Sequence, residues 1–109
     1  MGVTVKKLGQ TALDTTPVTI CTGVAGGHTE VKNLFITNTN PTTERKVKLF
    51  AHGTATGNTL IEELIIPAKG TKIFTKEEIA IVLPEGESLS ALQDVGTDVI
   101  VTAYGIEEV

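Results

Sequence analysis

The chain has 109 residues, a formal net charge of −4, 40% hydrophobic residues and 20% charged residues. One domain over residues 1–109 fits that length, a second core does not, and the apolar content excludes a disordered chain. Nine Lys and Arg against 13 Asp and Glu, with three Phe, one Tyr and no Trp, give neither the basic face nor the aromatic platform that nucleic acids need.

Counted along the sequence, 18 Thr, 11 Val and 10 Ile make β-branched residues the dominant class. Such side chains are stiff at χ1 and suit a pleated surface. Short runs of them recur at intervals of about ten residues, separated by turn signals, which is the mark of a sandwich or barrel. The first run is Val3 to Lys7, with a break expected at Gly9. Pro17 to Thr22 follows and ends at the glycine-rich turn Gly23 to Gly27. Glu30 to Asn38 is the third and stops at Asn38-Thr39-Asn40-Pro41, where Asn and Pro favour turns. In Lys46 to His52, strict alternation sets Val47, Leu49 and Ala51 on one face. Lys46, Lys48, Phe50 and His52 take the other.

Leu60 to Ile66 admits two readings. Leu60, Ile61, Leu64 and Ile65 have helical spacing, and Thr59 with Glu62 fits a capping box. Pro67 leaves fewer than two turns after that cap, too few for a stable helix, so strand is favoured. After the turn Pro67 to Gly70 come a strand Thr71 to Thr75, a helical turn or loop at Lys76-Glu77-Glu78, and a run Ile79 to Leu83. Pro84 to Glu87 turns the chain into Ser88 to Leu92. Gln93 to Gly96 reads as a hairpin-like loop, and Asp98 to Ile106 as a long last strand. The expected fold is all-β: an antiparallel, jelly-roll-like β-sandwich of eight or nine short strands with no long helix.

Several strands are apolar on both faces. Val99, Val101 and Ala103 share one side of the last strand; Ile100, Tyr104 and Ile106 share the other. Phe50 and Phe74 are placed opposite the expected core faces of their strands. Phe50, Phe74, Ile100, Tyr104 and Ile106 are therefore the candidate subunit interface, because a second apolar face asks for a covering partner.

The residues that carry chemistry do not form a motif. The lone Cys21 sits in the apolar run Val18 to Cys21 and reads as a small buried hydrophobe. His28 and His52 are far apart and fall short of the three or four ligands of a zinc site or a metal-dependent jelly-roll enzyme. Glu62-Glu63, Glu77-Glu78 and Glu107-Glu108 are adjacent pairs, which point to opposite faces of a strand. The glycines of Gly23 to Gly27 lack the Lys-Ser/Thr ending of a phosphate loop. No catalytic, cofactor or metal residues are assigned, and no small-molecule substrate is expected. The N-terminal residues lack a signal-like apolar region, and no apolar run approaches the ~20 residues of a membrane span, so cytosolic synthesis away from a membrane is expected.

The order of the pieces carries a resemblance. Thr19-Ile20-Cys21-Thr22-Gly23-Val24-Ala25-Gly26-Gly27 leads into Val31 to Asn38, then to Ile66-Pro67-Ala68-Lys69-Gly70-Thr71. Ile81-Val82-Leu83-Pro84-Glu85-Gly86-Glu87-Ser88-Leu89 follows, and Val99 to Glu107 closes the series. Nearly the whole chain resembles the small β-sandwich virion structural proteins of tailed bacteriophages and prophages. It departs from their pattern at Cys21-Thr22, where an aromatic precedes Thr, and at Val24-Ala25-Gly26, where Pro-Ala-Gly stands. The resemblance implies a non-enzymatic virion protein made in the host bacterial cytoplasm. The first expectation is a homo-oligomeric capsid decoration (cement) protein whose partner is the major capsid protein or another virion protein. The alternative is a neck, tail or tail-tip accessory that binds a carbohydrate or receptor; the scarcity of aromatics weighs against the sugar-binding form.

Overall fold

The computed structural model describes residues 4–109. Among these residues nine strands occur in the order β1 (Lys6–Ala12), β2 (Val18–Thr22), β3 (His28–Asn38), β4 (Arg45–Ala51), β5 (Thr59–Ile66), β6 (Thr71–Phe74), β7 (Ile81–Pro84), β8 (Ser88–Gln93) and β9 (Val99–Glu108), with one 3-10 turn at Thr56–Asn58. One sheet has the order β1-β9-β3-β6, with β7 also on β3; the other has the order β2-β8-β4-β5. All the strand pairings are antiparallel.

The pairings nest. β4 pairs with β5, β3 with β6 and β7, β2 with β8, and β1 with β9. The chain is thus one long hairpin, closed at β4–β5 and rolled up so that successive strand pairs fall in alternate sheets. The β3–β9 and β4–β8 pairings join successive turns of the roll. This is a jelly-roll β-sandwich, as the alternating runs led us to expect.

Alternation then decides burial. Leu34, Ile36, Val99, Val101 and Ala103 from the five-stranded sheet meet Val47, Leu49, Leu89 and Ala91 from the other in one apolar cluster. Leu49 is fully buried, so Leu49→Ala removes about 2–5 kcal/mol of stability.

Three local readings change, and two are met. The first strand spans Lys6–Ala12, not Val3 to Lys7, and Val3 lies outside the described residues. Gly9 does not break it but sits inside, at a bulge between Lys7 and Gly9. There β1 passes so close to β2 that a Cβ on Gly9 would lie 2.0 Å from the Ile20 carbonyl oxygen. Glycine within a strand marks such approaches. Residues Lys76 to Glu78 form a turn, closed by the Glu78 and Ile79 amides on the Thr75 carbonyl. The segment Gln93 to Gly96 is not a hairpin: β8 and β9 lie in different sheets, so the loop crosses the sandwich. The ambiguous segment is a strand, Thr59–Ile66, hydrogen-bonded to β4.

That crossing loop is fixed by a polar cluster at one end of the sandwich. Gln93, fully buried, receives the Val99 amide on Oε1 at 3.0 Å and donates from Nε2 to Val95 O at 2.7 Å and Asp98 Oδ1 at 2.8 Å. Arg45 Nε donates to Asp98 Oδ1 at 2.9 Å and Asn40 Nδ2 to Asp98 Oδ2 at 3.0 Å. The buried Asn38 donates from Nδ2 to the Thr43 and Ile66 carbonyls. Among the described residues no buried side-chain nitrogen or oxygen lacks a partner. Arg45, then Asn40 and Gln93, hold the Asp98 carboxyl well below the usual carboxylate range, against the upward push of its burial.

Two predictions follow from this architecture. Gly9→Ala lowers the stability measured by urea unfolding by about 2 kcal/mol or more, because β1 and β2 must separate. For Asp98 the folded-state pKa is depressed, so its stabilising contribution is complete above the unfolded value of ~3.9 and is lost as pH falls toward the folded one. The urea midpoint of the native chain therefore exceeds that of Asp98→Asn at neutral pH, and the gap narrows as the pH is taken below about 4.

Candidate interaction surface

The outward face of the five-stranded sheet is set by register. Across it, Gln10, Thr102, Phe35 and Ile73 form one row, and Ala12, Ile100, Thr37 and Thr71 the next. On the other side of the first row lie Lys7, Tyr104 and Asn33, then Ile106, Glu30 and Val82. Phe35 and Tyr104 meet edge to face with centroids 5.8 Å apart. Ile73 is 46% exposed, Val82 48% and Tyr104 36%; Phe35, Ile100 and Ile106 are half-buried. Hydrogen bonds order the polar members: Gln10 Nε2 donates to Thr102 Oγ1 at 2.9 Å, and the Thr37 and Thr71 hydroxyls pair at 3.0 Å. The face is thus an apolar stretch on a rigid sheet, edged by charge such as the Lys32–Glu30 ion pair.

Of the five residues singled out in the sequence, the structure brings Ile100, Tyr104 and Ile106 together on this face. The other two go elsewhere. Phe74 is opposite Leu34 and packs against the core, so its neighbour Ile73 is the outward residue. A one-residue shift in a strand exchanges the faces. Phe50 does point away from the core, opposite Ser90, but on the four-stranded sheet; it is only 4% exposed, with the Lys48 ammonium 5.4 Å from its ring centroid. Covered in this way, Phe50 has almost no surface left to bury against a partner. Phe35, Ile73 and Val82 were missed. The alternation of Asn33, Phe35 and Thr37 was the available signal for the first; the consecutive apolar pair Ile73-Phe74 gave none for the second.

The chemically active residue types are scattered. Cys21 is buried, and burial, aided by the Glu107 charge, pushes its thiol up to about 11. It stays protonated at neutral pH, when it is a weak nucleophile. His52 pairs through Nδ1 with Glu87. His28 instead lies beside Glu30 and Glu108, which the sequence reading had not joined. Two shallow clefts flank β7. One, of about 310 Å³, is bordered by Glu30, Lys32, Lys76 and Glu77; the other, of about 250 Å³, by Leu60, Ile61, Phe74 and Ile79. Neither is lined by a Ser, Thr, Cys or His side chain. No helix among the described residues is long and apolar enough to cross a membrane.

No protein-family model, curated protein or solved structure matches this chain.

The Cys21 environment yields a direct check. With a disulfide reagent at pH 8, the native chain reacts at least about tenfold more slowly than the urea-unfolded chain, whose thiol has an ordinary pKa near 8.5. Equal rates in the two states would contradict the burial described.

Proposed function

We propose that this chain is a non-enzymatic structural protein of a tailed-bacteriophage particle, a decoration subunit that stabilises the head shell by adhesion. The observation that carries the reading is the apolar outward face of the five-stranded sheet, where Phe35, Ile73, Ile100, Tyr104 and Ile106 remain partly exposed. Contiguous apolar surface ringed by charge is what an interface presents before its partner arrives. The order of turn and strand motifs, which resembles that of small virion proteins, supports the same role. At about 25 cal/mol per Å² of apolar area buried, repeated modest contacts sum to a firm hold on a shell.

The jelly roll suits this use, since its face is built from strands already hydrogen-bonded in one antiparallel sheet. Its partners are the major capsid protein or a neighbouring virion protein, and further copies of itself.

The test is co-sedimentation of the purified chain with heads and, separately, with tails produced from the same genome. The native chain pellets with heads, and Tyr104→Asp, at an exposed position, keeps its thermal midpoint while losing at least about tenfold in affinity, as fits a central aromatic anchor. Pelleting with tails alone moves the protein to the neck or tail and overturns the decoration reading. A chain that stays monomeric and pellets with neither overturns the structural one.

A further inference from the structure

At one end of the same outward face, register sets Pro84, His28 and Glu108 in a row, with Val82, Glu30 and Ile106 in the next. His28 Nε2 is 3.9 Å from Glu30 Oε2 and 3.8 Å from Glu108 Oε1. All three donor atoms lie within 4.8 Å of one another. We propose that His28, Glu30 and Glu108 form a binding site for one divalent cation of the zinc type. The inference is independent of the virion role.

Three features carry it. The first is the donor set: one imidazole nitrogen and two carboxylate oxygens suit Zn²⁺ and its first-row neighbours better than Mg²⁺ or Ca²⁺, which prefer oxygen alone. The second is the disposition of charge. Glu30 and Glu108 direct oxygens toward the same point on the sheet, where like charges repel. Val82 and Ile106 flank Glu30 in register, and a cation between the carboxylates reverses their repulsion. The third is support from behind. Lys32 Nζ stands 3.5 Å from Glu30 Oε1, the oxygen other than the one facing His28. A ligating carboxylate held by a second partner is oriented for the metal.

The backbone fixes the geometry. His28 and Glu108 are directly opposed across the β3–β9 ladder. Gly27, just before His28, packs so closely on β9 that a Cβ there would fall 1.8 Å from the Glu108 carbonyl oxygen. Zn–N and Zn–O bonds of ~2.0–2.2 Å in a tetrahedron place donors ~3.3–3.5 Å apart. The two His28 separations need to shrink by only about half an ångström, within reach of side-chain rotation. Water completes the fourth position, and the bound ion ties the end of β9 to the start of β3.

The experiment is titration of the full chain with ZnCl₂, read by calorimetry and by the thermal midpoint. The expected result is one ion per chain, a raised midpoint, and binding that weakens as the pH is lowered, because protons compete for the ligand atoms. Glu30→Gln, nearly isosteric, and His28→Ala each weaken binding at least about tenfold while the metal-free midpoints stay near that of the native chain. His52→Ala and Cys21→Ser leave it unchanged, and millimolar MgCl₂ does not shift the midpoint. Absence of binding at millimolar zinc, binding that survives both His28→Ala and Glu30→Gln, or binding abolished by His52→Ala or Cys21→Ser would overturn the site.

Discussion

Leu34, Ile36, Val101 and Ala103 face Val47, Leu49, Leu89 and Ala91 across the sandwich, and this contact between two sheets governs the rest of the molecule. Each strand gives alternate residues to it, so the remaining alternates are placed on the outside whatever their chemistry. Tyr104, Ile106 and Ile100 are outward because Val99, Val101 and Ala103 are inward. Side-chain packing alone does not bring the sheets together. Gly9 lets β1 pass β2 where any Cβ would strike a carbonyl oxygen, and Gln93, Asp98 and Asn38 satisfy the polar groups that the loops between the sheets would otherwise bury unpaired.

The sandwich also shields its edges. β6 borders the five-stranded sheet, and its Lys72 lies on the core-facing side, opposite Ile36, with the ammonium 5.0 Å from the Phe74 ring centroid. An inward charge on an edge strand discourages further strands from adding. β5, the edge of the other sheet, carries Glu62 and Glu63 and two register shifts against β4. With both of these edges blunted, the proposed adhesion runs face-on through the broad outward face and not by growth of a continuous sheet.

Much of this was legible in the sequence because period-two alternation is a direct record of burial. The run Lys46 to His52 shows the inward face by alternation of Val47, Leu49 and Ala51, though Phe50 is buried on the other face, and Val99 to Ile106 revealed both of its faces. Legibility failed where alternation did. Ile73-Phe74 is apolar at both positions, so only pairing with Leu34 reveals which side chain is inward. Gly9 resembles a turn signal until β2 is seen lying against it, a contact between residues separated in sequence. The pairing of β8 and β9 with different partners depends on the whole roll, and no local turn pattern encodes it. His28 and Glu30 alternate visibly along one strand, but Glu108 joins them only through the β3–β9 register.

Adhesion through the outward face of the five-stranded sheet is the central claim, and residue-level footprinting tests it most directly. Hydroxyl-radical labelling of the chain, free and then mixed with heads from the same genome, reports side-chain cover at each position. The account predicts strong protection of Tyr104, Ile73 and Phe35 on mixing, while Leu60 and Val95, exposed elsewhere, stay as reactive as before. Unchanged reactivity at Tyr104 and Ile73, with protection at Leu60 or Val95 instead, would contradict it.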